Sequence, residues 1–299
     1  MTIRPAVSQR LLIHLLAGLL LMTMVMIAPP PARASQAHPI VALDQAIAET
    51  LLELGIAPVM ISQRDYFDFW TDDAYDASQL IEVGQPLPNI ELLRQVSPRQ
   101  ILLAPWQAAV ASQLDAVAPI EIVDDYPYSS EGDIWIHLLA FTRQLGQQVG
   151  RPQAAAHLIQ QTETHLDALR NKAMDEDMPL LIVQLMDQRH VRVFGGHSLP
   201  QGVLQRLGLH NAWHGATNQW GYALVGIDSL FDIEARLVVI RDPFPIGIEQ
   251  SLAQNGLWRH LPSVKRGDVI TLTHAFWFAG GLPSARRFAD ALVEALDDD

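Results

Sequence analysis

An α/β fold of two Rossmann-like lobes, joined by one long α-helix with a ligand cleft between them, is what this sequence of 299 residues predicts. Three observations carry the prediction. From Ile40 to Val123, short apolar runs alternate with helix-capped segments, the pattern of a mostly parallel sheet covered on both faces. The same alternation restarts at Leu180 and continues to Leu296. Between the two, Gln153 to Ala173 keeps helical spacing through Ala156, Ile159, Leu166 and Leu169, a rod of about 30 Å at about 1.5 Å per residue. The chain therefore divides into a signal peptide (1–34), an N-terminal α/β lobe (35–150), a linking helix (151–176) and a C-terminal α/β lobe (177–299).

Taken in order, Met1 to Ala34 reads as a cleavable export signal. Arg4 and Arg10 supply a positive start, and Leu11 to Ala28 is an apolar run broken only by His14 and Thr23. Pro29-Pro30-Pro31 then stops any helix. Ala32-Arg33-Ala34 offers small residues where a signal peptidase reads them, with Ser35 as the first mature residue. The competing reading, an uncleaved anchor, has a run of eighteen residues, near the minimum for a span. The cleavage pattern decides for removal, and for export to a bacterial periplasm.

In the N-terminal lobe, Ile40 to Leu43 is a strand, Asp44 caps a helix from Gln45 to Leu54, and Gly55 ends it. Val59 to Ile61 is the next strand. Asn89 caps Ile90 to Val96, and Pro98 closes that helix. Ile101 to Ala104 is a buried strand, followed by a helix from about Ala108 to Val117 and a strand from Ile120 to Val123. The helical pattern that starts at Ile134 is broken once, at Gly150-Arg151-Pro152. In the C-terminal lobe, Leu180 to Met186 and Val191 to Phe194 flank Asp187-Gln188-Arg189-His190 as a hairpin. Pro200 to Leu207 is a helix stopped by Gly208. Leu237 to Ile240 and Val269 to Leu272 are strands, and Ser284 to Leu296 is a terminal helix.

Composition removes several function classes. Thirty-three acidic against 20 basic side chains give a net charge of −13. Loss of the signal removes three arginines and no acid, and takes the charge to −16. Nucleic acid is not an expected partner, because counterion release needs clustered Lys and Arg. With no cysteine, disulfides, thiolate metal sites and thiol catalysis are excluded. No Gly-x-Ser-x-Gly elbow, His-Glu-x-x-His or phosphate-cradling loop is present, so no catalytic residue is assigned and the chain reads as a non-enzyme. His210 and His214 are four apart, but Gly208 and Asn211 make that stretch a turn, and no direct metal ligation is expected. Gly195-Gly196 and Gly280-Gly281 read as turn glycines.

The tryptophans are the informative residues. Trp106 follows the strand Ile101 to Ala104 directly, and Trp277 follows Val269 to Leu272 by a few residues. Trp70 lies in the aromatic segment Tyr66-Phe67-Asp68-Phe69-Trp70, read as a loop, and Trp220 in Thr217-Asn218-Gln219-Trp220-Gly221-Tyr222. Strand-end loops are where sites concentrate, and an indole there gives a flat apolar wall with one N–H donor. Trp135, Trp213 and Trp258, in helical or turn contexts, read as packing residues.

These segments resemble periplasmic substrate-binding proteins of ferric-siderophore ABC importers, most closely the iron-hydroxamate type. The resemblance runs from about Ile40 to Leu296. It is carried by Ile40-Val41-Ala42-Leu43, Val83-Gly84, Pro88-Asn89-Ile90-Glu91-Leu92-Leu93 and Arg189-His190-Val191-Arg192-Val193-Phe194-Gly195, with Asn211-Ala212-Trp213, Asn218-Gln219-Trp220-Gly221 and Phe276-Trp277-Phe278. It implies two lobes rigidly bridged by a helix, and pocket tryptophans at Trp70, Trp220 and Trp277. This sequence departs from that pattern in three places. Gln85 stands where the family carries an arginine that reaches iron-bound oxygens. Ala104-Pro105-Trp106-Gln107 holds no tyrosine, and Phe278-Ala279 replaces another.

The ligand set expected from residues and resemblance together is Trp70, Gln85, Trp106, Trp220, Tyr222, Arg241, Trp277 and Phe278. The cargo is a ferric siderophore, whose iron is already saturated with hard oxygens, so no cofactor is implied. The resemblance also implies docking of one carboxylate per lobe onto an inner-membrane ABC permease. Asp228 matches the C-lobe position, and the N-lobe position falls near Ser112-Gln113, with Asp115 beside it. The protein is expected to act as a monomer. Haem or cobalamin in the same aromatic cleft, and a secreted hydrolase, remain the alternatives.

Overall fold

The computed structural model describes residues 38–57, 59–84, 88–124, 132–173, 176–240, 247–272 and 274–298. The signal segment, Gln85 and Arg241 lie outside the described residues. Residues 39–299 cluster as one compact unit, built on two five-stranded sheets.

The first sheet runs in the order β3-β2-β1-β4-β5 and is parallel throughout. Its strands are β1 (Ile40–Ala42), β2 (Val59–Ile61), β3 (Leu80–Glu82), β4 (Gln100–Leu103) and β5 (Ile120–Ile122). Successive side chains of a strand face opposite ways, and the sequence satisfies both faces. Ile40 and Ala42 enter one core, Val41 and Leu43 the other. Helix α1 (Gln45–Glu53) starts where Asp44 Oδ1 accepts from the N–H groups of Ala46 at 2.7 Å and Ile47 at 3.3 Å. This is the cap the sequence predicts. Asn89 caps α3 (Ile90–Val96) in the same way. The segment after β4 is tighter than expected, a 3-10 turn over Pro105–Val110 followed by the short α4 (Ala111–Leu114).

The aromatic segment read as a loop is a helix, α2 (Arg64–Thr71). Phe67, Trp70 and Thr71 are its buried residues, at the i, i+3, i+4 spacing of an apolar helix face. Strand β3, just downstream, escapes the sequence reading. It is three residues long and only Leu80 is buried, too brief a signal for alternation to register.

The second sheet runs β10-β9-β6-β7-β8. Strands β6 (Leu180–Leu185) and β7 (His190–Phe194) form the predicted hairpin. Strand β8 (Tyr222–Gly226) adds antiparallel to β7, while β9 (Arg236–Ile240) and β10 (Val269–Leu272) extend the sheet in parallel. Helix α7 (Leu199–Leu207) follows β7, and the short helices α8 (Ile248–Gln254), α9 (Gly256–His260) and α10 (Pro262–Arg266) precede β10.

Two helices bind the lobes together. In α5 (Ile134–Gln148), Ile134, Trp135 and Leu138 enter the C-lobe core and Phe141 and Leu145 the N-lobe core. In α6 (Pro152–Lys172), Ala155 and Leu158 enter the N-lobe core and Leu166 and Leu169 the C-lobe core. The long helix thus does span the lobes, with a second helix packed antiparallel beside it. The C-terminal α11 (Leu282–Asp297) packs against α6, α7 and α1.

Candidate functional site

The carboxyl ends of parallel strands leave backbone groups and loops facing outward, and ligand sites collect there. A cavity of about 360 Å³ opens at the ends of β1, β2 and β4, lined among others by Asp44, Gln63, Tyr66, Trp106 and Gln107, and closed by Trp277 from the C-lobe. Gln107 fixes this rim. Its Oε1 accepts from Ala104 N–H at 3.0 Å and its Nε2 donates to Leu43 O at 3.0 Å, which ties the ends of β4 and β1 together. Glu82, at the end of β3, fixes α2. Its carboxylate accepts from the N–H groups of Arg64 at 2.6 Å and Gly84 at 2.7 Å. An anion at a helix N-terminus is favourable, and here it orients the helix that carries Tyr66 and Trp70.

From that helix an aromatic stack crosses to the C-lobe. Trp70 meets Trp277 edge-on at 5.2 Å, Tyr66 meets Trp277 at 5.7 Å, and Trp277 meets Phe278 at 4.7 Å. Phe278 continues to Tyr222 at 5.8 Å and Phe194 at 5.9 Å. The spacings are those at which the ring quadrupoles attract. Trp70 and Trp277 each hold a buried indole N–H with no acceptor among the described residues.

Of the ligand set expected from the sequence, Trp70, Tyr222, Trp277 and Phe278 are brought together, but in unequal places. Trp106 is 57% exposed and faces the cavity. Trp70 is 3% exposed and backs Tyr66 and Trp277 instead of lining the cavity, because α2 turns its Phe67–Trp70–Thr71 face inward. Trp220 does not line the cavity either. Asn218 Oδ1 accepts from Trp220 N–H at 2.9 Å, and the ring packs half-buried on the C-lobe core.

Sequence reasoning missed Tyr66, Gln184 and Arg192. Arg192 on β7 lies with its guanidinium carbon 4.3 Å from the Tyr222 ring centre and 4.6 Å from that of Phe278, within cation–π range. Its Nη1 donates to Gln184 Oε1 at 2.8 Å. Burial pulls its pKa below the ordinary arginine value, opposed by the Tyr222 and Tyr66 hydroxyls. The available signal was the pairing of Gln184 with Arg192 across the predicted hairpin; the missing strand β8 is what hid Tyr222 on the other side.

The loop that carries Trp277 and Phe278 is fastened to the N-lobe at both ends. His274 Nδ1 lies 2.9 Å from Asp72 Oδ2. Glu49 on α1, 1% exposed, accepts from Gly281 N–H at 2.9 Å and Ser284 Oγ at 3.0 Å and pairs with Arg287. Gly280 closes the predicted turn, its N–H donating to Trp277 O at 2.9 Å, and Gly281 is the N-cap of α11. A Cβ on Gly280 would stand 2.3 Å from Ser284 Oγ and 2.8 Å from Glu49 Oε1, and one on Gly281 2.8 Å from Thr50 Oγ1, so both positions are also crowded, Gly281 by the facing lobe and Gly280 by its own helix as well.

Asp228 is exposed in the first turn of the 3-10 helix Ile227–Leu230, whose N-cap is Gly226. Asp115 is exposed at the end of α4. Among the described residues, no group of three or more His, Asp or Glu is placed to hold a metal ion, and no helix is long and apolar enough to cross a membrane.

The family model described as periplasmic binding protein matches residues 40–275. The iron(3+)-hydroxamate-binding protein FhuD of Escherichia coli K12 is 28% identical over 267 residues, 89% of each chain. The solved structure of FhuD from Vibrio cholerae with Fe3+–Desferal bound superposes with a TM-score of 0.78 at 23% identity, over 87% of this chain and 98% of that one. The petrobactin-binding protein YclQ of Bacillus subtilis superposes with a TM-score of 0.67 at 17% identity, over 88% and 93%. The last two likenesses establish the two-lobe fold.

Proposed function

This chain belongs to the periplasmic binding protein family, and from that premise we propose that it captures a ferric siderophore of hydroxamate type in the cleft and hands it to an inner-membrane ABC permease. The observation that carries the reading is the aromatic stack from Tyr66 and Trp70 to Trp277 and Phe278, which meets a cavity at the strand ends. A caged ferric ion needs no ligand from the protein. It needs flat apolar walls for the outer face of the chelate and a few donors for its oxygens. Tyr66, Trp106 and Trp277 supply the walls, and the Gln63 and Gln107 amides the polar rim. No bond is made or broken, so the protein acts as a carrier and not an enzyme.

The reading of residues 1–34 as a cleavable leader supports a periplasmic location for the mature chain, which is taken to act there as a monomer. Lobes fastened by α5, α6 and the Glu49 network favour delivery without a wide hinge motion. Asp228 on the C-lobe and Asp115 on the N-lobe are the carboxylates offered to the permease. Titration with ferric trihydroxamates is expected to quench tryptophan fluorescence saturably. A flat response to hydroxamate, catecholate and hydroxycarboxylate chelates alike removes the reading. Asp228→Ala is expected to keep chelate affinity and slow uptake by cells; unchanged uptake takes Asp228 out of the docking role.

A further inference from the structure

Four arginines of the described residues have a buried Nε that makes no hydrogen bond, and three of them have an acid. Arg206 pairs with Glu163, Arg236 with Glu176 at 3.0 Å, and Arg287 with Glu49. Arg192 is the exception. Its partners are the Gln184 amide oxygen, the Tyr222 hydroxyl and two ring faces, all of them neutral, and no carboxylate among the described residues pairs with it.

Gln184 explains how this cation is held. It sits in β6, whose six residues are all buried, and is itself 4% exposed. A polar side chain in such a strand is costly unless bonded. Gln184 and Arg192 are cross-strand partners in the β6–β7 register, and the 2.8 Å bond between their side chains aims the guanidinium at the rings of Tyr222 and Phe278. Phe278, 4.6 Å from the guanidinium carbon, stacks at 4.7 Å on Trp277, which closes the cavity. A cation drawn out of water, with rings and amides for neighbours, gains most from an incoming anion, because charge-assisted bonds are the strong ones and the desolvation has already been met.

We infer that Arg192, positioned by Gln184, selects a ferric hydroxamate chelate that also carries a carboxylate, so that the cargo is an anion. This rests on the siderophore reading and names its ligand class. Three hydroxamates neutralise ferric iron. Two hydroxamates and an α-hydroxycarboxylate around the same ion leave a net negative complex, which a planar guanidinium can engage through two parallel N–H bonds.

The test compares two probes on the mature protein by tryptophan quenching. One is ferric N-acetyl-desferrioxamine, a neutral trihydroxamate, and the other the ferric chelate of a citrate-based dihydroxamate, an anion. The wild type is expected to favour the anion by about tenfold or more. Arg192→Leu is expected to bring the ratio close to one. Gln184→Glu, nearly isosteric, supplies the negative charge internally and is expected to do the same, an effect that loss of packing would not give. Thermal melts report folding of the variants, and if they fail to fold, the wild-type ratio decides alone. Equal affinity of the wild type for both probes, or a preference that survives in folded Arg192→Leu, overturns the inference and leaves the siderophore reading standing. Binding of neither probe overturns both.

Discussion

The N-terminal sheet is wholly parallel and meets the cleft with loop and helix ends, whereas the C-terminal sheet presents side chains from two antiparallel strands, β7 and β8. The difference shows in what each wall offers. Tyr66 comes from α2 and Trp106 from the turn after β4, an aromatic and partly exposed rim. Arg192 and Tyr222 come from the strands themselves, backed by the buried Phe194, a stiffer wall that holds the charge. Loops can be replaced without disturbing a sheet; a strand residue cannot be moved without its ladder. The N-lobe wall is thus built from exposed rings at helix and turn ends, and the C-lobe wall from strand residues among which stands a cation.

The largest way to break this contrast is to unfasten the lobes. Glu49→Ala leaves Arg287 buried without its acid, and removal of one partner of a buried pair costs about 3–5 kcal/mol; urea unfolding is expected to show that loss, with weaker chelate binding alongside. Trp70→Ala follows, at about 3 kcal/mol, the low end for a buried tryptophan, because an indole N–H without acceptor is deleted with the ring. Trp106→Ala sharpens the point. It is expected to leave the denaturation midpoint within about 0.5 kcal/mol while chelate affinity falls, since that ring faces the cavity and not the core.

Glu82→Gln weakens the anchor of α2 and is expected to cost about 1 kcal/mol, with a poorer fluorescence quench as Tyr66 and Trp70 lose their fixed orientation. The smallest effect is pH-linked. The hydrogen bond to Asp72 raises the His274 pKa above its usual 6.5, burial opposes, and the charges of Asp72 and Glu294 add to the rise. The folded state thus holds this proton more tightly than the unfolded state. The stabilisation is fully present below pH 6.5 and fades as pH rises through the raised value. The pair is half exposed, so its worth is under about 1 kcal/mol. A melting difference between pH 5.5 and pH 8.5 that shrinks in His274→Gln would confirm the bridge; an identical difference in both proteins would dismiss it.

Much of the fold was legible because local rules acted strongly. Asp44 and Asn89 announce their helices by capping, and Leu180 to Phe194 declares a hairpin by alternation around a polar turn. Where local signals were weak or overridden, reading failed. Tyr66 to Trp70 is rich in aromatics, which resist helix formation by propensity, yet packing of Phe67 and Trp70 makes it one. Strand β8 has no buried residue to mark it, so Tyr222 was read as loop and its neighbour Arg192 passed unremarked. Trp106 and Trp277 were found because strand-end positions follow from order along the chain. The burial of Trp70 was not, because it depends on a residue more than two hundred positions away.

By itself, the sequence determined the α/β class, the starts of the capped helices, the spanning helix and the aromatic content of the strand-end loops, because periodicity and capping are properties of neighbours along the chain. Only the tertiary structure decided which rings line the cavity and which back it, that Gly280 and Gly281 are crowded as well as turning, and that among the described residues Arg192 stands with neutral partners. Those depend on distances between residues far apart in sequence, and no local rule fixes them.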